Sequence, residues 1–189
     1  MKIEVIEIAG FASAMKALHL PFGKGENGTL DADYSFYDDM RLPYDELQLN
    51  FSSESNCEIE PKDIELLTKL VKAGDEHAKV LRGIVVWMKI TAPVYIWCEM
   101  ECYRAGHERL CSESTMHIDC HGLSGEELVK AKSEIPMGKE LTKIDFFSYQ
   151  CLRNIYKQRR HHRLPEWHAF CDWIKELPFA EQLITCGID

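Results

Sequence analysis

The chain has 189 residues, 46% hydrophobic and 28% charged, which excludes collagenous, low-complexity and disordered proteins and fits one globular unit. The 31 Asp and Glu residues outnumber the 22 Lys and Arg residues, and the formal net charge of −9 disfavours nucleic acid and anionic membranes as partners. No apolar run approaches the roughly 20 residues that span a bilayer, and residues 1–7 are unlike a signal peptide. We therefore expect a soluble, cytoplasmic protein.

The first third of the chain predicts a strand and two helices. Residues 3–8 alternate as in a half-buried strand, and residues 11–20 have helical spacing. Residues 31–57 are acidic and aromatic without a clear period, and we expect an irregular excursion there. Pro61 occupies the favoured first-turn position of a second helix, which Gly74 is expected to end.

The middle of the chain predicts a buried strand followed by helical and extended segments. The β-branched run GIVVWMKI at residues 83–90 is typical of a central strand, and Thr91-Ala92-Pro93 is expected to end it. Helical spacing resumes over residues 94–104, and residues 116–120 are compatible with a short strand.

The last third is predicted to be mostly helical. Ser124 and Glu127 have the spacing of a capping box before an apolar pair, which indicates the start of a helix. One long helix is predicted over residues 141–160, and another begins at Pro165. Because no repeat or linker divides the chain, the sequence predicts one α+β domain over residues 1–189.

Eight cysteines raise the question of disulfides or a metal site. A chain of this length can build a core without disulfides, so we expect reduced, structural thiols. Zinc-type ligands concentrate between Cys98 and His121, but no Cys-x2-Cys pair occurs and the spacing fits no zinc finger. We therefore predict no metal site, with Cys98 and Cys102 placed in the core by their helical spacing.

One basic run stands out in this acidic chain, KQRRHHR at residues 157–163. Arg153 lies upstream with no carboxylate between, so the counter-charge is expected from outside the segment or from another subunit. Two interpretations remain open: a solvated helix end, where cations complement the helix dipole, and a phosphate site, for which arginine is suited.

The segment GIVVWMKITAPVYIWCEMECYRAGHERLCSESTMH, residues 83–117, resembles the centre of the flavin-dependent thymidylate synthases. In that family Ala-Pro is followed by a helix carrying Gln, an Arg-His-Arg triplet and an Asn-Glu-x-Ser-x-Arg segment. Counted from Ala92-Pro93, Glu99 falls at the Gln and residues 102–104 (CYR) fall at the triplet. After an insertion of about three residues, residues 112–117 (SESTMH) fall at the last segment.

The C-terminal third resembles the same family independently. Ala131-Lys132 before Ile135-Pro136 matches an Ala-Arg that precedes Leu-Pro, and Asn154 stands five residues before Arg159 as in the family. The resemblance extends over most of the chain from about residue 61, together with the first strand.

This resemblance implies a central antiparallel sheet packed with long helices, a homotetramer, and reductive methylation of dUMP at C5. Methylenetetrahydrofolate would supply the carbon, and FAD reduced by NADPH would supply the hydride. The implied substrate-binding residues, of which Thr115 and Arg159 would also act in catalysis, are Glu99, Glu113, Thr115, Lys132 and Arg159. The implied cofactor-binding residues are Tyr103, Arg104 and Asn154.

The departures from the family concern its flavin contacts. Cys102 and Tyr103 replace an arginine and a histidine of the triplet, so FAD is expected to bind weakly or substoichiometrically. The alternative is a divergent homologue whose chemistry has lapsed or changed. It would be a nucleotide-binding scaffold or would transfer a one-carbon unit to a pyrimidine nucleotide without flavin.

Overall fold

The computed structural model describes residues 1–19, 59 and 61–188, so the excursion predicted at residues 31–57 lies outside the described residues. One antiparallel sheet has the strand order β1-β2-β4-β3. Its strands are β1 (Lys2–Ala9), β2 (Val85–Pro93), β3 (His107–Ser112) and β4 (Glu140–Ser148). The α+β class and the antiparallel sheet are therefore confirmed, and the apolar run at residues 83–90 does form a central strand.

The helices cover most of the described residues outside the sheet. They are α1 (Phe11–His19), α2 (Pro61–Ala73), α3 (Val94–Met100), α4 (Thr115–Ile118), α5 (Gly125–Ser133), α6 (Tyr149–Arg159), α7 (Pro165–Lys175) and α8 (Ala180–Leu183), with a 3₁₀ helix at Lys79–Arg82. The predicted starts at Pro61 and Pro165 are confirmed. The helix after Ser124 also forms, but the Ser124 side chain makes no capping hydrogen bond. No described helix is long and apolar enough to span a membrane.

The predicted break at Thr91-Ala92-Pro93 is wrong, because β2 continues through these residues and pairs with β4 up to Glu140. Pro93 is extended, with φ −61° and ψ 150°, and serves as the residue before α3. The fixed φ of proline suits the end of a strand as well as the start of a helix. Helix α3 then ends at Met100, short of the predicted residue 104.

The predicted long helix over residues 141–160 is in fact the strand β4 followed by the helix α6. The inward-facing positions of β4 hold the buried polar residues Lys143 and Asp145 as well as Phe147. The sequence of β4 therefore lacks the alternation of apolar and polar residues that is typical of a strand. Ser148 separates the two elements, and its hydroxyl accepts a hydrogen bond from the Cys151 N–H (3.2 Å).

The short strand predicted at residues 116–120 is also wrong. Residues Thr115–Ile118 form the one-turn helix α4, which Ser114 caps by accepting a hydrogen bond from the Met116 N–H (3.3 Å). The capping serine decides the local conformation, because its hydroxyl satisfies a backbone donor that a strand would have to pair elsewhere.

The hydrophobic core lies on the inward side of β2. Its alternate residues Val86, Met88, Ile90 and Ala92 are fully buried, and they belong to a cluster with residues from α1, α2, α3, α6, α7 and α8. Gly10 has φ +96°, and a Cβ there would collide with the Gly83 carbonyl, so the turn into α1 approaches the start of β2 closely. This packing fixes α3 and α6 relative to the sheet.

Residues 113–139, which we call the arm, differ from this core. The arm carries α4 and α5, and neither helix has a buried residue. Of the seven large hydrophobic side chains that are exposed among the described residues, five lie here: Met116, Ile118, Leu123, Val129 and Met137, between 37% and 68% exposed. The arm therefore presents apolar surface outward.

The described cysteines are all free, but only some are buried. The core placement predicted for Cys98 and Cys102 is wrong, because both are exposed on α3 and the turn after it. Cys151 and Cys171 are buried, and burial raises the pKa of their thiols to about 12 and about 11. The described residues contain no group of three or more side chains that could hold a metal ion.

Candidate functional site

Arg159 is the last residue of α6, and its guanidinium lies at the meeting point of three helical segments. Its Nε donates to the Tyr103 hydroxyl (2.7 Å), and one terminal nitrogen donates to Glu99 Oε2 (2.7 Å). The guanidinium carbon lies 4.6 Å from the Trp167 ring centroid, a cation–π contact. With 16% of its side chain exposed, Arg159 is held in one orientation and still reaches the surface.

Glu99 projects from α3 and collects donors from two other elements. Its Oε2 accepts from Trp167 Nε1 (2.8 Å) in addition to Arg159, and the His162 Nε2 lies 3.6 Å away. Trp167 is fully buried in the first turn of α7, so the hydrogen bond from its indole fixes the position of the Glu99 carboxylate. Glu99, Tyr103, Arg159 and Trp167 therefore form one connected group, which we call the Arg159 cluster.

Tyr103 lies in the turn after α3, almost fully buried under the cluster. Its hydroxyl accepts from Arg159 and donates to the Gln158 side chain (3.2 Å). Burial raises the pKa of the phenol, and the Arg159 guanidinium opposes that shift, so the phenol is neutral at ordinary pH. Tyr103 thus contributes one polar atom, already used within the chain, and no charge.

The other implied substrate residues form a second group on the arm. The Lys132 ammonium donates to the Thr115 hydroxyl, which joins α5 to α4. Glu113 extends the β3–β4 pairing, because its N–H donates to the Thr142 carbonyl (2.8 Å) and its carboxylate accepts from the Thr142 N–H (2.6 Å). Among the described residues no hydrogen bond or ion pair joins this Thr115–Lys132 pair to the Arg159 cluster.

The implied flavin residues share no hydrogen bond or ion pair among the described residues. Arg104 is exposed, and its Nε donates only weakly to the Glu101 carbonyl (3.4 Å) in the preceding turn. Asn154 is half-buried on α6, and the five residues that separate it from Arg159 rotate it about 140° around the helix. No described contact therefore joins Arg104, Asn154 and the Tyr103 hydroxyl.

These positions do not fit the diphosphate of FAD. A dinucleotide brings two anionic groups, whereas the segment at residues 102–104 offers the Cys102 side chain, the Arg159-bound Tyr103 and the one cation of Arg104.

The counter-charge of Arg159 does come from outside the basic run, but from Glu99 of the same chain and not from another subunit. Arg153 is also accounted for, because it donates to the carbonyls of Ile184 (2.7 Å) and Cys186 (2.8 Å) near the C-terminus. The contact between Arg159 and Glu99 spans 60 residues of sequence, so charge counting within a local run could not find it.

Sequence reasoning missed Trp167, His162 and Gln158 as neighbours of the site. The available signal was the short connection between the helix that ends near Arg159 and the helix that begins at Pro165. Such a connection predicts an antiparallel helix pair whose adjoining ends meet. Under that geometry Trp167, one turn into α7, is expected beside the end of α6.

Solved structures provide a comparison for the whole chain. The flavin-dependent thymidylate synthase ThyX from Helicobacter pylori, complexed with FAD and dUMP, superposes with a TM-score of 0.64 over 100% of this chain and 99% of that chain, at 12% identity. A second ThyX structure from the same organism, with FAD and dUMP, gives 0.64 and 12% over 97% of both chains. The UMP/dUMP methylase PolB from Streptomyces cacaoi, bound with 5-Br dUMP, gives 0.61 and 10% over 99% of this chain and 95% of that one.

No protein-family model and no curated protein matches the sequence. The comparison therefore rests on tertiary structure, and it agrees with the antiparallel sheet and helices described above. Because the likeness extends over the full length of both chains, this chain has the fold of the flavin-dependent thymidylate synthases, at an identity of only 12%.

Proposed function

We propose that this protein binds a pyrimidine nucleoside monophosphate such as dUMP at the Arg159 cluster and transfers a one-carbon unit to C5 of the pyrimidine. The observation that carries the proposal is the fixed guanidinium of Arg159, which is oriented by Glu99, Tyr103 and Trp167 yet reaches the surface. Solved proteins of the same fold are complexes with dUMP or 5-Br dUMP, which supports this class of ligand.

The hydrogen bonds within the cluster leave defined edges for a nucleotide. They use Nε and one terminal nitrogen of Arg159, and no hydrogen bond among the described residues uses the other terminal nitrogen. That edge can donate to a phosphate or to a pyrimidine carbonyl. Oε1 of Glu99 can accept from the N3–H of a uracil ring, because an ionised carboxylate only accepts.

The chemistry assigned to these residues is binding, orientation and charge stabilisation. C5 attacks a one-carbon donor with the electron pair of an enolate, whose negative charge lies on the C4 carbonyl after a hydride or nucleophile has added at C6. A cation held in advance at that position lowers the energy of the charged state without reorganising. Arg159 supplies this cation, and Thr115 and Lys132 supply a hydroxyl and a second cation from the arm.

We also propose that the nucleotide pocket is completed between copies of the chain, in a homotetramer. Within one chain the Thr115–Lys132 pair and the Arg159 cluster share no described hydrogen bond or ion pair. The arm that carries the pair exposes five large hydrophobic side chains, as expected of a surface that packs against a partner. Packing of the arm of one copy near the Arg159 cluster of another would bring both cations to one nucleotide.

The reductant distinguishes two forms of this function. In the form that the family implies, methylenetetrahydrofolate supplies the carbon and NADPH-reduced FAD the hydride. The second form is one-carbon transfer without flavin, and a protein with neither form would be a scaffold that only binds the nucleotide. The commitment of Tyr103 to Arg159 favours the second form, because it removes the polar contact that the triplet position could offer a diphosphate.

Titration calorimetry with dUMP tests the nucleotide site. Arg159→Ala should weaken binding by roughly 1.5–3 kcal/mol, about ten- to a hundredfold, the scale of a hydrogen bond to a charged group. Arg159→Lys should recover part of the affinity because it keeps the charge but not the planar fork. Arg163→Ala at an exposed position of the same basic run is the matched control. Equal affinities for Arg159→Ala and Arg163→Ala would remove the nucleotide role from Arg159.

Product analysis then separates the chemistries. Incubation of dUMP and methylenetetrahydrofolate with and without FAD and NADPH should yield a C5-substituted nucleotide detectable by mass spectrometry. Conversion only with FAD supports the flavin form, and conversion without FAD supports the second. Binding without conversion in any mixture would reduce the function to a nucleotide-binding scaffold.

A further inference from the structure

A buried His–Asp pair lies directly behind the Arg159 cluster. His107 begins β3 and Asp145 lies on the neighbouring strand β4, and His107 Nε2 is 2.7 Å from Asp145 Oδ2. The two side chains are 6% and 0% exposed, and the imidazole stacks on Phe147 at a centroid distance of 4.1 Å and an interplanar angle of 5°. Taking two polar groups out of water is costly, so the hydrogen bonds that this pair makes are important for offsetting that cost.

Both ring nitrogens of His107 face acceptors. Its Nδ1 lies 3.2 Å from the Tyr103 carbonyl oxygen, which can only accept, and its Nε2 faces the carboxylate. Because the Tyr103 carbonyl only accepts, Nδ1 is the donor in the hydrogen bond to it, while Nε2 pairs with the Asp145 carboxylate. The two contacts fix the ring between Asp145 and the main chain of Tyr103.

The turn between α3 and β3 is fastened at both ends by these contacts. Gly106 has φ +81°, its carbonyl accepts from the Ser148 N–H (2.7 Å), and a Cβ there would collide with the Ser148 hydroxyl. His107 holds the other end through the Tyr103 carbonyl. The Tyr103 hydroxyl, at the far end of the same residue, receives the Arg159 Nε hydrogen bond.

Other charged groups surround the pair without replacing these bonds. Arg109 Nε lies 3.6 Å from Asp145 Oδ1, which has no hydrogen-bond partner among the described residues, and Arg109 also bonds Glu101. The Lys143 ammonium lies 4.3 Å from the Trp97 ring centroid, and burial, with Arg109 nearby, lowers its pKa. His107 is the residue through which Asp145 reaches the turn that carries Tyr103.

We propose that His107 and Asp145 are positioning residues that clamp the Tyr103 main chain and so set the orientation of the Arg159 guanidinium at the nucleotide site. The consequence for nucleotide affinity rests on the function proposed above. The clamp itself is a property of the free protein and can be measured without any ligand.

The first measurement is the NMR signal of the Arg159 side-chain Nε–H in ligand-free protein, assigned by its loss in Arg159→Lys. His107→Phe keeps a ring over Phe147 but removes both hydrogen bonds, and it should shift this signal and weaken dUMP binding roughly tenfold. Asp145→Asn should change both much less. The neutral Nδ1–H tautomer of His107 can still donate to Tyr103 while Nε2 accepts from the amide.

A double-mutant cycle shows whether the effect passes through Tyr103. In a Tyr103→Phe background, where Arg159 has already lost its hydroxyl partner, His107→Phe should produce no further loss of dUMP affinity. His107→Gln, which retains one donor group, serves as a second variant if His107→Phe fails to fold, and should give an intermediate shift.

Three outcomes would overturn or separate the claims. An unshifted Arg159 signal in a folded His107 variant overturns the clamp, as does a full additional loss of affinity in the Tyr103→Phe background. A shifted signal together with unchanged dUMP binding in Arg159→Ala supports the clamp and overturns the nucleotide site instead.

Discussion

The Arg159 cluster and the Thr115–Lys132 pair carry the two cations implied for one nucleotide, but the two cations differ in how firmly the chain holds them. Arg159 is 16% exposed and is held by side chains from α3, the following turn and α7. Lys132 is exposed on a helix without a buried residue, and its described partner is the Thr115 hydroxyl. The core orients the first cation in advance, whereas the arm only carries the second to the surface.

This difference indicates how each half of the site obtains its geometry. Packing and three directional contacts remove the rotamer freedom of Arg159 when the chain folds, so that little ordering remains for ligand binding. Lys132 retains most of its freedom, and a partner surface or ligand must order it.

The largest effect is expected on stability. Phe147→Ala removes a fully buried ring that stacks on His107 and contacts Phe170, so it should lower the free energy of unfolding by roughly 3–5 kcal/mol. Val129→Ala on the arm should change it by less than about 0.5 kcal/mol, because the side chain is 68% exposed. Urea unfolding at a protein concentration where light scattering shows monomers measures both. Similar losses for the two variants would contradict the division into core and arm.

A smaller effect is expected on flavin binding. The protein should purify colourless or with substoichiometric flavin, and Cys102→Arg, at an exposed position, should tighten FAD binding by roughly 1.5–3 kcal/mol, the scale of one charge-assisted contact. Tyr103→Arg should not, because its guanidinium would be buried against Arg159. Cys111→Arg is the exposed control, and absorbance during FAD titration is the measurement. A stoichiometric yellow protein from purification would show that other residues replace the triplet.

The smallest effect is expected on assembly. Light scattering at micromolar concentration should show a homo-oligomer, most simply a tetramer, because the apolar side chains of the arm need a partner. Val129→Ala should raise the dissociation constant by about five- to thirtyfold, as expected from roughly 1–2 kcal/mol for the apolar atoms removed. Lys157→Ala at an exposed position of α6 is the control. A monomeric wild-type protein would contradict the shared pocket.

Part of the site could be predicted from the sequence because the spacing of residues along the chain identified it. The family resemblance named Glu99 and Tyr103 by the count from Ala92-Pro93 and Arg159 in the C-terminal third, and the structure joins these three directly. The same resemblance named Arg104 and Asn154, which share no described contact, because a motif position fixes the place of a residue along the chain but not the partner of its side chain.

Element types were predictable where hydrophobic period and capping residues agreed, and they failed where these signals conflicted. Pro61 and Pro165 begin helices as expected, because proline fits the first turn of a helix. β4 was hidden because Lys143 and Asp145 occupy inward positions that normally hold apolar residues, and their burial depends on Trp97, Arg109 and His107 from other elements.

Local sequence was enough to predict the α+β class, the central strand within residues 83–90, the proline-initiated helices and the family resemblance. All of these depend on neighbours a few residues apart. The contacts of Glu99 with Arg159 across 60 residues and with Trp167 across 68, and that of His107 with Asp145 across 38, are visible only in the folded chain. Such contacts form when packing of the sheet and helices brings distant segments together, and local periodicity carries no information about that packing.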